Sequence, residues 1–347
     1  MGAKSAPAEQ APFSPVSGSD EGGLDLALRP RSFDRFVGQR RAVENLKVAI
    51  EAARQRGEPL DHVLLSGLPG LGKTTLACLL AKEMGSELRL TSGPALGKAA
   101  DLAGILANLQ KGDVLFVDEI HRLQPVVEEY LYTAMEEYAI DILIDTGPSA
   151  RSLRVTLQPF TLVGATTREG LLSAPFRSRF GITEKLEPYP PGDLAEIVRR
   201  SAEMLEVPID APAADLIASR SRGTPRIANR FLKRVRDLAQ LVARNRVTAA
   251  VAEDALGRLG VDAQGLSEVD RSLLRGLARA GGGPVGLKTV ALLVGEEQDT
   301  VEDVIEPFLV QQGLLDRTPR GRRLTDRGFL AVGAKPPAGA APPALFA

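Results

Sequence analysis

The chain has 347 residues, enough for two or three domains of ordinary size. Its 44% hydrophobic and 25% charged residues are typical of a globular protein, and no run of about 18 apolar residues or leader pattern suggests membrane insertion or export. The net charge of −1 offers no overall basic field for nucleic acid, and the single Cys78 excludes an intrachain disulfide. We expect a cytoplasmic protein with no membrane association.

Composition and periodicity divide the chain into five segments. Residues 1–24 are rich in Ala, Pro, Ser and Gly, and we expect a disordered arm there. Residues 25–186 alternate strands and helices, residues 187–260 are helical, and residues 261–333 combine three short helices with a basic turn-rich stretch. The remainder, 334–347, reads as a disordered tail.

The segment 25–186 carries short, fully apolar strands separated by amphipathic helices. Three strands are predicted at 63–66, 114–117 and 161–166, and a helix at 74–84 follows the first. Strands without a polar face are typical of a parallel sheet that is buried on both sides. We therefore predict an α/β domain with helices on both faces.

Two smaller domains are predicted after it. Four helical segments occupy 187–260, one of them beginning at Thr224 with Pro225 at its first helical position. In 261–333, Thr300 and Asp303 resemble a capping box for a helix over 301–312, and Gly321 suits the tip of a hairpin. Three helices followed by a hairpin predict a winged helix.

Residues 67–74, Gly-Leu-Pro-Gly-Leu-Gly-Lys-Thr, match the phosphate-binding loop pattern between a predicted strand and a predicted helix. Backbone N–H groups of such a loop close around phosphate oxygens at a helix N-terminus. Lys73 would neutralise the β- and γ-phosphates of ATP, and Thr74 would hold Mg²⁺. Gly70, Gly72 and Thr75 belong to the same expected nucleotide site.

Polar residues follow the other two predicted strands. Asp118 can position Mg²⁺, and Glu119 can orient or deprotonate the attacking water. Asp118 and Glu119 could instead belong to an ordinary solvated loop, but the phosphate-binding loop earlier in the chain disfavours that alternative. Thr166 could hold the water or sense the γ-phosphate, although a strand-end threonine is often only a turn cap. We interpret His121 as a supporting residue.

Arginines supply candidates for two further roles. Arg179 and Arg226 could neutralise charge on the transferred phosphoryl group, although most arginines are simply surface charges. Between 317 and 327 there are five arginines and one acid, whereas 289–316 has seven acids and no Lys or Arg. We expect Arg317 and Arg322, then Arg320, to contact DNA phosphates without reading sequence.

Several segments together resemble the RuvB family of AAA+ Holliday-junction branch-migration ATPases. The resemblance covers about 25–330 and rests on the phosphate-binding loop and on residues 28–30, 36–39, 118–123, 164–168, 223–230 and 318–322. It implies that Leu28, Arg29 and Tyr189 line an adenine pocket. The backbone of Glu136, Glu137 and Tyr138 is expected in the same pocket.

The resemblance also implies an assembly. Thr166 would be the first sensor, Arg226 the second, and Arg179 a finger reaching into a neighbouring subunit's site, so that a homohexameric ring forms on duplex DNA. Expected partners are double-stranded DNA and four-way junctions, a RuvA-type junction-binding protein that docks on the hairpin near 140–155, and a RuvC-type nuclease. Leu68 and Asp145-Thr146 depart from the family pattern, which leaves the docking detail open.

Two other functions deserve comparison. A clamp-loader-like AAA+ ATPase would share the nucleotide motifs but would not predict a winged helix with an arginine-rich hairpin. An ATP-switched transcription regulator would need a helix that reads bases, and the acidic segment 289–316 suits the major groove poorly.

Overall fold

The computed structural model describes residues 26–143 and 152–337. The predicted arm, most of the predicted tail, and the hairpin positions Asp145 and Thr146 lie outside the described residues.

The N-terminal unit is a five-stranded parallel sheet with helices on both faces, which confirms the predicted fold class. The strand order is β2-β3-β6-β1-β7. A separate antiparallel pair, β4-β5, forms the predicted hairpin. The strands are β1 Val63–Ser66, β2 Leu88–Ser92, β3 Val114–Asp118, β4 Ala139–Leu143, β5 Ser152–Thr156, β6 Thr161–Thr166 and β7 Ile182–Lys185. The helices are α1 Arg40–Arg56, α2 Lys73–Met84, α3 Ala99–Ala107, α4 Pro125–Glu137 and α5 Ala174–Arg177.

The three strands predicted from apolar runs form the centre of this sheet. Strands β1 and β6 are buried along their whole length, and β3 is buried up to Asp118. Sequence analysis missed β2 and β7, which lie at the two edges of the sheet and carry polar side chains such as Arg89 and Lys185. An edge strand pairs on one side only, so it needs no continuous apolar run.

Strand order places three polar strand ends side by side. Strand β6 lies between β1 and β3, with Ser66 opposite Thr166 and Val117 opposite Gly164. All three strands run in the same direction, so their carboxyl ends meet at one edge of the sheet, where open parallel sheets bind ligands. The phosphate-binding loop, Asp118 and Thr166 all follow from this edge.

The helical unit contains the four helices predicted for it. They are α6 Pro191–Met204, α7 Ala211–Arg220, α8 Pro225–Val242 and α9 Ala249–Arg258. Thr224 is the N-cap residue of α8, with Pro225 in its first turn as expected. The apolar core of this unit is continuous with the core on one face of the sheet, so the four helices lie beside the phosphate-binding loop as a lid.

The C-terminal unit is a winged helix with its own apolar core. Its elements are α10 Glu268–Arg279, α11 Leu287–Val294, α12 Gln298–Thr300, a π-helical turn Val301–Ile305, α13 Glu306–Gln311, β8 Leu315–Thr318, β9 Gly321–Leu324 and α14 Asp326–Ala331. The capping box predicted at Thr300 was wrong, because the helical stretch begins at Gln298 and Asp303 binds Arg168 instead. Within the described ranges no helix is long and apolar enough to cross a membrane.

Candidate nucleotide site

A cavity of about 470 Å³ opens at the carboxyl edge of the sheet, between the phosphate-binding loop and the lid. It collects most of the residues that the sequence singled out. Those found in its lining are Leu28, Arg29, Gly70, Gly72, Lys73, Thr74, Thr75, Asp118, Glu119, Tyr189 and Arg226.

The loop has the shape of a phosphate cradle. Gly70 and Gly72 have φ angles of +80° and +105°, which side-chain-bearing residues rarely adopt. A Cβ on Gly70 would lie 2.9 Å from Arg226 Cβ, and one on Gly72 would lie 3.3 Å from the Phe36 ring. The glycines therefore let the lid approach the loop while α2 begins directly after it, and these features fit the phosphates of a nucleotide.

Lys73 is held inside this loop. Its ammonium group donates to the carbonyls of Gly67 at 2.6 Å and Leu68 at 2.9 Å. Burial lowers the pKa of Lys73, while the charges of Asp118 and Glu119 oppose that shift. The positive charge is thus placed beside the cradle and balanced by the two carboxylates.

The acidic pair ends β3 in different conformations. Asp118 accepts a hydrogen bond of 2.9 Å from the Glu119 N–H. Glu119 has a φ of 51°, a left-handed conformation that costs a non-glycine residue energy and is concentrated at functional sites. Within the described residues no three acidic, His or Cys side chains form a metal-binding group. Thr74 and Asp118, which line the cavity, are the oxygen-bearing residues that would hold Mg²⁺ there.

The two threonines at the end of β6 have different positions. Thr166 is fully buried, accepts a 3.0 Å hydrogen bond from the Arg168 N–H, and lies 3.0 Å from His121 Nδ1. Thr167 lines the cavity, and its buried hydroxyl has no hydrogen-bond partner among residues 26–143 and 152–337. The structure therefore favours Thr167, which the sequence analysis overlooked, as the hydroxyl that faces the nucleotide. The alternation of side chains along a strand was the signal that could have separated the two residues.

Replacing Thr167 with valine is expected to lower ATP turnover by about tenfold, the effect of losing one hydrogen bond to a charged group. Its melting temperature should stay unchanged, since the hydroxyl has no hydrogen-bond partner in the part of the chain that the structure describes. Steady-state hydrolysis and thermal unfolding measure the two effects. The control, Thr166→Val, leaves the Arg168 N–H without its acceptor and should lower stability by about 1–3 kcal/mol. Wild-type turnover by Thr167→Val would show that Thr167 is not the sensing hydroxyl.

The hydrophobic end of the cavity is formed with the lid. Burial raises the pKa of Tyr189, which keeps the phenol protonated as it donates to the Leu71 carbonyl at 3.1 Å. Arg200 on α6 also lines the cavity and donates to the Arg35 carbonyl at 2.5 Å. Its Nε is buried and has no hydrogen-bond partner among the described residues. Arg200 and Asn229 were missed from sequence because helical residues of a lid face a ligand only once the domains are packed.

The structure separates the two candidate arginines. Arg226, in the first turn of α8, lines the cavity. Arg179 does not line it; its guanidinium stacks on the Tyr132 ring and pairs with Glu136 at 2.8 Å. The expectation that Glu136, Glu137 and Tyr138 line the adenine pocket is not met within one chain. Glu136 pairs with Arg179, Glu137 with Arg154, and Tyr138 packs on Phe160.

In the wing, residues 315–324, the exposure of the arginines differs from the sequence-based expectation. Arg322 is only 13% exposed, and its Nε donates to the fully buried Glu306 at 2.5 Å. Arg317 is 49% exposed and pairs with Glu302. Arg320 is exposed in the turn between β8 and β9. The expectation that the hairpin presents Arg322 is therefore not met, and Arg320 and Arg317 are the accessible candidates.

Three family models match consecutive parts of the chain. They are described as the Holliday junction DNA helicase RuvB P-loop domain, matching residues 28–186, the RuvB AAA lid domain, matching 189–262, and the RuvB C-terminal winged helix domain, matching 263–333.

Individual relatives are similar over nearly the same length. The Holliday junction branch migration complex subunit RuvB of Myxococcus xanthus is 57% identical over 315 residues, covering 90% of this chain and 92% of that protein. The structure of the Thermotoga maritima RuvB Holliday junction branch migration motor is 48% identical, with a TM-score of 0.82, and covers 90% of this chain and 100% of that one. An alanine-to-serine variant of the same protein has a TM-score of 0.84 at 48% identity, covering 89% and 99% of the two chains.

Proposed function

Since the chain belongs to the RuvB family and is an AAA+ P-loop ATPase, we propose that it hydrolyses ATP to pump duplex DNA through four-way junctions. The observation that carries this proposal is the joining, in one chain, of the nucleotide cavity to a winged helix with accessible arginines. We propose that it works as a homohexameric ring in the cytoplasm. A clamp-loader-like ATPase does not account for the winged helix.

The chain's own groups supply positioning and charge for hydrolysis. Lys73 and Arg226 both line the cavity and would bind the β- and γ-phosphates. Glu119 would orient the attacking water and accept its proton, while Thr167 would hold the water or a γ-oxygen. Thr74 and Asp118 would hold Mg²⁺, whose chemistry there is to offset phosphate charge.

A ring explains the residues that lie away from the cavity. Arg179 is outside its own chain's cavity, so it would have to act on a neighbour's site, and head-to-tail contacts that close make a ring. The same argument applies to the segment 136–138, because Glu136 forms an ion pair with Arg179. We propose that this group of residues faces the neighbouring subunit's nucleotide.

The hairpin β4–β5 is proposed to dock a RuvA-type junction-binding protein. It pairs with no other strand of the described ranges, and Leu153 on β5 is 52% exposed, as a docking side chain should be. A RuvC-type nuclease is proposed as a further member of the assembly. We also propose the domain boundaries 25–186, 187–260 and 261–333, which the ranges matched by the three family models support.

A branch-migration assay on a synthetic four-way junction tests the function. We expect ATP-dependent separation of the junction into duplexes, accelerated by a RuvA-type protein, and none with a non-hydrolysable ATP analogue. A linear duplex ending in a primer junction, with a sliding clamp supplied, serves as the control. Activity confined to clamp loading would overturn the proposal.

Replacing both Arg317 and Arg320 with alanine is expected to weaken duplex binding equally for unrelated sequences. The slope of log affinity against log salt should fall by up to about 0.9 for each lost phosphate contact. Fluorescence anisotropy over a salt series measures both quantities. Binding of ATP measured without DNA serves as the internal control, since neither arginine lines the nucleotide cavity.

The matched control for that pair is Arg322→Ala. It should lower stability by about 3–5 kcal/mol, because Glu306 is then left buried without its closest cation. Unchanged affinity and salt slope in the Arg317 and Arg320 double variant would place the DNA contact elsewhere.

A further inference from the structure

One ion-pair cluster joins the catalytic edge of the sheet to the winged helix. Arg168, which follows Thr166 and Thr167, donates from Nε to Asp303 at 2.7 Å. Its Nη2 lies 3.3 Å from both Asp299 and Glu302. These three carboxylates stand more than 130 positions further along the chain, so the contact exists only in the folded protein.

The same acidic turn, residues 299–306, also holds the wing. Glu302 shares its two oxygens, with Oε2 on Arg168 and Oε1 on Arg317. Arg317 Nε lies 3.5 Å from Glu306, which also binds Arg322. Glu302 therefore bridges Arg168, which lies just after strand β6, and Arg317, which we propose contacts DNA.

On its other side, Arg168 connects to the catalytic carboxylate. Thr166 Oγ1 accepts from the Arg168 N–H, so its own proton is available to His121 Nδ1, 3.0 Å away. Burial lowers the pKa of His121, which favours the neutral imidazole, and a bond donated by Thr166 to Nδ1 favours the tautomer with its proton on Nε2. That nitrogen lies 3.8 Å from Glu119 Oε2, within the distance that a small shift would turn into a hydrogen bond.

The acidic turn has the structure and the space to move. Glu302 and Asp303 belong to the π-helical turn Val301–Ile305, a conformation concentrated at functional sites. A cavity of about 330 Å³ lies between this turn and the sheet, lined by Thr167, Arg168 and Arg317 among others. Side chains on both sides of the contact can therefore change partners without displacing the core.

We propose that Arg168 is a positioning residue that couples DNA contact at the wing to ATP hydrolysis. A DNA phosphate competes with Glu302 for Arg317. Once released from Arg317, Glu302 pairs with Arg168 alone, and the contact between the sheet edge and the acidic turn becomes stronger. Thr166, His121 and Glu119 then move with the Arg168 backbone. This coupling rests on the proposed function, since it requires both ATP turnover and DNA contact at the wing.

The test measures the ratio of ATP turnover with duplex to ATP turnover without it. The duplex is saturating, so differences in DNA affinity between variants do not affect the ratio. In Arg168→Ala the ratio of the two rates is expected to fall by about fivefold or more, the lower range of ordinary coupling between sites. The loss should appear in kcat and leave the KM for ATP within about twofold. Arg168→Lys, which keeps the charge but not the forked geometry, should recover part of the ratio.

Asp303→Asn provides a second variant, since it alters one atom on the winged-helix side and keeps the fold of the sheet. Its turnover without DNA should match that of the wild type while its response to duplex falls. Arg258→Ala, which removes an exposed ion pair with Asp254 on the lid, is the matched control and should respond normally.

Two results would overturn the inference. A normal response to duplex in both Arg168→Ala and Asp303→Asn would show that the cluster does not couple the sites. An equal loss in Arg258→Ala would show that the effect is not specific to the cluster. A wild-type chain that fails to hydrolyse ATP or to bind duplex would instead overturn the proposed function, and the inference with it.

Discussion

Glu119→Gln is expected to bind ATP normally and to hydrolyse it about 10²–10⁴ times more slowly, the usual contribution of a general base. Glutamine keeps the shape of the side chain and tolerates the left-handed backbone at this position no worse than glutamate does. It loses the negative charge that orients and deprotonates water. Nucleotide binding by fluorescence and single-turnover hydrolysis separate the two steps.

Two further variants serve as comparisons for Glu119→Gln, namely Lys73→Ala and Glu58→Gln. Lys73→Ala should fail at binding, because it removes the cation beside the cradle. Glu58→Gln, which alters an exposed carboxylate paired with Arg56, should behave as wild type. Near-normal hydrolysis by Glu119→Gln would remove Glu119 from the catalytic role and leave the proton to another group.

Arg179→Ala is expected to retain ATP binding and to lose about 10³-fold or more in hydrolysis, the typical effect of an arginine finger. Arg179 lies outside the cavity of its own chain, so the loss should be felt in the neighbouring subunit's site. Mixing Arg179→Ala with Lys73→Ala protein should therefore restore part of the activity. In a mixed ring, some interfaces pair an intact cradle with an intact finger.

Arg177→Ala is the matched control, since Arg177 is an exposed arginine two residues earlier on the same turn. It should hydrolyse ATP at the wild-type rate. Mixed rings are verified with differently tagged subunits that co-purify. If verified mixed rings show no rescue at any ratio, the site is not shared between subunits.

The ion pair between Arg179 and Glu136 bears on how such a finger works. Arg179 is paired with a carboxylate of its own chain. To act on a neighbouring subunit, it must break this pair and bind the phosphate of that subunit's nucleotide. A partly exposed pair of this kind costs little to break, about 0–1 kcal/mol. Glu136 is thus suited to hold the finger in place without opposing its transfer.

Local signals in the chain were enough to predict the fold class and the phosphate-binding side of the nucleotide cavity. The apolar runs at β1, β3 and β6 predicted a buried parallel sheet, and the glycine loop before α2 predicted a phosphate cradle. These features follow from backbone conformation and burial, which depend on residues close together in sequence. Lys73 and Asp118 could be assigned to one cavity for that reason, whereas Arg226 was identified by the family resemblance.

Tertiary packing alone decided which of several similar side chains faces the ligand. Thr166 and Thr167 are identical in sequence terms, yet one is bonded to His121 and the other lines the cavity. Arg322 and Arg320 flank the same glycine, yet one neutralises buried Glu306 and the other is exposed. The contact of Arg168 with Asp303 spans 135 positions and has no local signal. The partner of a charged group is the opposite charge that the fold brings within about 4 Å, because the Coulomb attraction falls with distance and is weak in the high dielectric of water.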